Sequence, residues 1–186
     1  MEQQRKPLYF IAVLPTSPIL EEIDDLKHYF KDQYQSKASL NSPPHITLHM
    51  PFEWKEEKEA RLLNTLTAFS KNQTSLVLQL ENFGCFEPRV IFINVIKNAL
   101  LDLLQKELHQ VFKKELNLFN AQYRDLPFHP HVTLAFRDLK KAMFYKAWEE
   151  FREKKFEHKL KVDRINLLKH DGKVWQVHAE FLLKEN

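Results

Sequence analysis

Apolar residues recur along this chain in two periods, and the alternation between them predicts most of its elements. Residues 8–14 form a continuous apolar run closed by Pro15, which reads as a buried strand. Ser17 and Pro18 make a cap and a first helical residue. Ile19, Ile23, Leu26 and Phe30 then fall three to four apart, predicting a helix to about Tyr34. Residues 45–51 follow Pro43 and Pro44 and suit an extended strand. A second helix is predicted over 55–71, with Leu62, Leu63, Leu66 and Phe69 inward.

The period then changes to two. Leu76, Leu78 and Leu80 alternate with polar neighbours, and a turn around 83–88 leads to another strand over 89–95. Asn98 is placed to cap the longest helix, running to about Leu116 with Leu101, Leu104, Leu108 and Phe112 inside. A loop with Tyr123, Arg124 and Asp125 precedes a strand starting near Pro130, and a helix is predicted over 140–152. Strands over 157–168 and 173–183 close the chain, joined by a hairpin turn at Lys169-His170-Asp171-Gly172. The order is βαβα-ββ-αβα-ββ. It predicts an α+β fold, one domain spanning 1–186, built as two fused lobes with two mainly antiparallel sheets.

Each half contains the same phrase. Residues 42–50 read SPPHITLHM, and residues 128–136 read FHPHVTLAF. With nine His, six Thr and 27 Leu in 186 residues, random placement gives roughly 0.04 His-x-Thr-Leu matches per chain, so two matches arise on the order of once in a thousand. Side chains at i and i+2 of a strand share a face. His45 and Thr47 therefore point one way, with Ile46 and Leu48 inward; His131 and Thr133 do the same, with Val132 and Leu134 inward. Two such strands related by a pseudo-twofold would offer two imidazoles and two hydroxyls to one groove. That set suits a phosphodiester. An imidazole titrates near neutrality, so one ring can accept a proton while the other donates one. Threonine hydroxyls can donate to non-bridging phosphate oxygens.

Composition narrows the chemistry. Two glycines are too few for a phosphate-cradling loop or a dinucleotide fingerprint, so side chains must hold any phosphate. Cys85 stands alone and reads as a small buried hydrophobe. A net charge of +3 does not argue for duplex DNA as a partner. From 137 to 173 there are 12 basic and seven acidic residues, which read as a solvated face. The first fifteen residues lack the apolar run of a signal peptide, and no stretch is long enough to span a membrane; a monomeric cytoplasmic protein is expected.

The paired motifs, HITLHMPF and HPHVTLAF, resemble those of the 2H phosphoesterase superfamily, which includes the RNA 2′,3′-cyclic phosphodiesterases, also called 2′-5′ RNA ligases. The resemblance covers most of the chain, from the opening strand ending LP onward. It implies a bilobal, pseudo-twofold α+β fold with helices outside and a central cleft. It further implies metal-independent chemistry without a cofactor on RNA or a nucleotide carrying a cyclic phosphate or 2′-5′ linkage. His45 and His131 would be the acid–base pair, with Thr47 and Thr133 as phosphate ligands. One branch carries Arg directly after TLA; here that position is Phe136, and Arg137 follows.

Around this core, His49 and His129 share the strand face of their motif histidines and are candidate substrate contacts. Phe128 and Phe136 are candidate base-stacking residues among Phe52, Trp54, Phe86 and Trp175. Arg124 and Lys173 are candidate anion contacts, and His178 is expected on a solvent face. Two other readings stay open. The protein can be a non-catalytic binder of RNA ends, or the four imidazoles of His45, His49, His129 and His131 can hold a metal for hydrolysis.

Overall fold

The computed structural model describes residues 6–119 and 127–185. It contains eight strands and four α-helices among those residues. They are β1 (Leu8–Val13), α1 (Ile19–Tyr34), β2 (Ile46–Glu53), α2 (Glu59–Ser70), β3 (Leu76–Phe86), β4 (Val90–Val95), α3 (Ala99–Val111), β5 (His131–Ala135), α4 (Lys141–Phe151), β6 (Glu157–Val162), β7 (Arg164–His170) and β8 (Trp175–Leu182). The predicted loop around Tyr123, Arg124 and Asp125 lies outside the described residues. No helix among them is long and apolar enough to cross a membrane.

Local chemistry accounts for the element ends. Asn98 caps α3 as expected, its side-chain oxygen accepting from the backbone N–H groups of Leu100 and Leu101. At α1 the cap position is Pro18, with no side-chain cap bond, and Ser17 instead donates to Glu21. The stretch 157–168 is two strands rather than one. Its buried alternation shifts phase at Asp163, from Leu160 and Val162 to Ile165 and Leu167. That phase shift separates β6 and β7, which pair with different neighbours.

All eight strands join one antiparallel sheet in the order β6-β3-β4-β5-β2-β1-β7-β8. The two sheets expected from the element order are merged at the centre, where β2 pairs with β5. The halves also exchange strands. β3 follows α2 yet pairs with β4 of the second half, and β7 follows α4 and β6 yet pairs with β1 of the first. The order is thus symmetric about the β5–β2 junction, although the chain path crosses it. The main core buries Ile11, Ile46, Leu48, Leu78, Ile93, Val132 and Leu134 beside the inner stripes of the helices, including Ile23, Leu62, Leu104 and Phe144. A small separate cluster, Phe10, Ala12 and Leu168 with Leu14 and Trp175, occupies the other face.

Candidate active site

Ile46 of β2 faces Val132 of β5 in the central ladder, and both are fully buried. Continuing that antiparallel register by one residue on each side sets Thr47 opposite His131 and His45 opposite Thr133. Since strand neighbours alternate in face, all four polar side chains stand on the surface opposite the core. A pseudo-twofold axis through the Ile46–Val132 pair exchanges His45 with His131 and Thr47 with Thr133. All four are half-buried, whereas Ile46, Leu48, Val132 and Leu134 are buried. The strand period alone produces this division, because a β-branched or leucine side chain alternates with each polar one.

The two imidazoles are held in the same way. His45 Nδ1 donates to the Pro43 carbonyl at 2.8 Å, and His131 Nδ1 donates to the His129 carbonyl at 2.7 Å. A carbonyl only accepts, so the proton sits on Nδ1 and the neutral ring keeps its basic lone pair on Nε2. Each ring also rests on a phenylalanine of the strand outside its own. Phe10 of β1 lies 4.9 Å from His45 at 50°, and Phe92 of β4 lies 4.8 Å from His131 at 47°. The proline before each histidine suits the extended approach that puts the residue-minus-two carbonyl under the ring.

Their electrostatics differ. Burial pushes the His45 imidazole down to about 4, with Lys27 and His131 adding to the shift and the Pro43 carbonyl opposing it. Burial also lowers His131, His129 adds to this, and the His129 carbonyl opposes it. Lys27 is the unusual neighbour. It projects from α1, is only 1% exposed, and donates to the Ser42 carbonyl at 2.6 Å, with Asp24 at 3.8 Å. Desolvation lowers its ammonium to about 8. The sequence held a signal for it, since Lys27 lies four residues after Ile23 and three before Phe30. The inner stripe of α1 takes Lys27, and Leu26 is only partly buried.

The other candidate residues divide. His129 is exposed and near the pair, its ring 5.9 Å from His131 and 5.3 Å from Phe86. His49 is not on the groove face. Between Ala12↔Thr47 and Ile11↔His49, one step on β1 matches two on β2. This bulge inverts the alternation and buries His49 against His109, Phe52 and Phe112. Its Nδ1 donates to the Met50 carbonyl, its Nε2 is buried without a partner, and burial pushes it down to about 4. The set of four imidazoles considered for a metal therefore does not assemble. Phe128 packs against the main core rather than standing free. Phe136 is half-buried beyond the end of β5, with the Arg137 guanidinium 5.0 Å from its ring centre. Arg137 has φ of 55°, so the strand does not continue through it. Arg124 lies outside the described residues. His178 is tied to Glu59 at 3.2 Å, on the helix side of the sheet with Tyr9.

Sequence reasoning did not single out Phe10 or Phe92. Phe10 sits in an unbroken apolar run where no alternation marks its face, and the separate cluster with Ala12 and Leu168 reveals it only in three dimensions. Two concavities, one between α2 and α3 lined by Arg61 and Glu107, the other beside Lys169 and Gly172, contain none of the four motif side chains.

Comparison with known proteins matches residues 15–174 to the 2′-5′ RNA ligase superfamily. Over 180 residues the chain is 30% identical to a provisionally named phosphoesterase of Bacillus mycoides (strain KBAB4), covering 95% of this chain and 97% of that protein. A similarly named protein of Bacillus cereus (strain AH820) is 29% identical over 176 residues, covering 93% and 95%. The fold resembles E. coli LigT complexed with 3′-AMP, with a TM-score of 0.71, 20% identity, and coverage of 97% of this chain and 99% of that one. It also resembles TT0787 of Thermus thermophilus, with a TM-score of 0.68, 19% identity, and coverage of 96% and 99%.

Proposed function

The chain belongs to the 2′-5′ RNA ligase superfamily, and on that premise we propose that it is a phosphoesterase that opens 2′,3′-cyclic phosphates of RNA or nucleotides, with reversible 2′-5′ ligation at the same site. The observation that carries this reading is the matched pair of imidazoles. His45 and His131 each fix Nδ1–H on a main-chain carbonyl and flank one buried strand pair on one face.

In hydrolysis, a water oxygen bonds to phosphorus while the bond from phosphorus to one ribose oxygen breaks. One neutral imidazole takes the water proton at Nε2. The other, as imidazolium, gives its Nε2 proton to the departing ribose oxygen. The pair ends with its protonation exchanged, and solvent restores it. Thr47 and Thr133 hydroxyls donate to the non-bridging oxygens, where negative charge concentrates as the fifth ligand approaches. Ligation uses the same transfers, with a nucleoside 5′-hydroxyl replacing water and the 3′ oxygen departing.

The test is turnover of a panel of 2′,3′-cyclic phosphates by the wild type, His45→Ala and His131→Ala, with the product's phosphate position read by phosphorus NMR. Each variant is expected to lose ~10²–10⁴-fold in kcat. Wild-type turnover of none of the panel, or variants within a few-fold of wild type, would overturn the reading. Tight binding of the panel by a wild type that turns nothing over would favour a binder of RNA ends.

A further inference from the structure

The ladder that joins the two motif strands is short. β2 and β5 pair at Ile46 and Val132, whereas β1 and β2 pair from Leu8↔Glu53 to Val13↔Ile46. Main-chain pairing at the junction therefore contributes little to the spacing of His45 and His131. A second connection spans the two halves beside it. Asp138, half-buried and just past the end of β5, accepts from the Ser36 hydroxyl through Oδ1 at 2.8 Å. Its Oδ2 accepts from the backbone N–H groups of Lys37 and Ala38 at 2.9 and 3.0 Å. Ser36 is fully buried and lies 102 residues away in the chain. These three donors open the segment that runs from α1 to His45.

Both sides of this contact are shaped for it. Gln35, with φ of 58°, ends α1 in the left-handed region and turns the chain, so that three successive residues present donors to one carboxylate. Arg137, with φ of 55°, turns the chain out of β5. The Asp138 N–H then donates to the Phe136 carbonyl at 2.6 Å, and Leu139 is buried in the main core. A helical turn is ordinarily capped by its own cap residue. The 3₁₀ turn Ala38–Asn41 has Lys37 at that position, with no side-chain cap bond. Its cap comes from the other half of the molecule. Hydrogen bonds to an ionised acceptor are roughly twice as strong as neutral ones. The far end of the segment is held from its own half, where Lys27 donates to the Ser42 carbonyl and the Pro43 carbonyl accepts from His45 Nδ1.

We infer that Asp138 is a positioning residue that sets the histidine of the first motif against that of the second. It ties the end of β5 to the segment whose Pro43 carbonyl fixes the His45 ring. It acts through Ser36, Lys37 and Ala38 and touches no substrate. The effect on turnover rests on the phosphoesterase reading; the effect on the His45 ring does not. Proton transfer between two fixed rings and one phosphate is sensitive to distance, and a displacement of ~1 Å costs about 10²-fold in rate.

The test reads the ring directly. Nitrogen-15 spectra of the histidines in the ligand-free protein show which ring nitrogen carries the proton, at about pH 8 where both rings are neutral. In the wild type, His45 and His131 should both carry it on Nδ1. In Asp138→Ala, His45 should become a mixture of the two tautomers while His131 keeps Nδ1–H. Its kcat on adenosine 2′,3′-cyclic phosphate should fall ~10- to 100-fold, with KM within about threefold of wild type. Asp138→Asn keeps an oxygen for the backbone donors and should restore the tautomer and most of kcat. Ser36→Ala removes one bond of the three and should shift the same readouts in the same direction by less, so it decides the question if Asp138→Ala does not fold. Wild-type tautomer and kcat within about twofold of wild type in folded Asp138→Ala, or in Ser36→Ala where the first is unfolded, would overturn the role. So would equal loss of Nδ1–H at His45 and His131, which marks general loosening. A wild type that turns over no cyclic phosphate would strike the phosphoesterase reading, while the tautomers still decide what Asp138 holds.

Discussion

Ile46 and Val132 face each other across the junction between the two motif strands, and the polar residues on either side of that pair share the sheet face opposite the core. Both side chains are fully buried. The pair thus joins the core to the site, holding the sheet closed on one face and setting the register of two imidazoles on the other. A slip of one residue there would turn one motif's His and Thr into the core. Ile46→Ala is expected to cost ~2–5 kcal/mol of stability and Ile46→Val ~0.5–1.5 kcal/mol, measured by urea unfolding. Under conditions where both are folded, Ile46→Ala should lose kcat on a cyclic phosphate and Ile46→Val should keep it. Equal activity in the two would show that the pair does not govern the site.

The pH dependence follows from both imidazoles titrating below the ordinary histidine value of about 6.5. In the proposed mechanism the free enzyme starts with one ring neutral and one protonated. As the pH rises above the lowered value of the acid, that ring loses its proton and kcat/KM falls. The optimum of kcat/KM should therefore lie on the acidic side of about 6.5, and it belongs to the coupled pair rather than to either ring. A bound phosphate favours the charged imidazole, so the kcat optimum should lie at higher pH than that of kcat/KM. A kcat/KM that climbs steadily from about pH 6 to about pH 9 would contradict the assignment.

Lys27 should act on the site through His45. Its ammonium lowers the His45 imidazole, and its bond to Ser42 secures the segment whose Pro43 carbonyl holds Nδ1. In Lys27→Met the His45 ring should titrate at higher pH, read from its Hε1 resonance, and the rate profile of the coupled pair should move the same way. Lys27→Arg keeps the charge and should restore much of the wild-type profile. An unmoved His45 resonance in the methionine variant would leave Lys27 a purely structural residue.

His49 offers a test of the bulge. Its folded imidazole is held down to about 4, so the unfolded chain takes up a proton below about 6.5 that the folded chain refuses. Stability is therefore lost as the pH falls through that window, at ~1.4 kcal/mol per unit for one such group. Between pH ~7.5 and ~5 this amounts to ~2 kcal/mol, which His49→Phe should remove, as measured by urea unfolding at both pH values. Turnover by His49→Phe should stay within about threefold of wild type, because the ring faces Phe52 and Phe112 rather than the groove. A large loss of turnover in a stably folded variant would return His49 to the site.

The sequence by itself determined the four helices, the capped start of α3, the α+β class and the alternation that sets His and Thr of each motif apart from their apolar neighbours. Those features are local. A period of 3.6 or 2 and a repeated His-x-Thr-Leu declare which side of an element is apolar, whatever the element later touches. Only the tertiary structure decided the merger into one sheet, the exchange of β3 and β7 between halves, and which rings support the histidines. Strand pairing joins residues far apart in the chain, and no local period encodes the partner. The bulge in β2 makes the same point at the scale of one residue. Thr47 and His49 have the spacing of groove neighbours, yet one additional residue against β1 sends them to opposite faces. A side chain's face is set by the number of residues its strand places against its neighbour, and that count exists only once the two strands are paired.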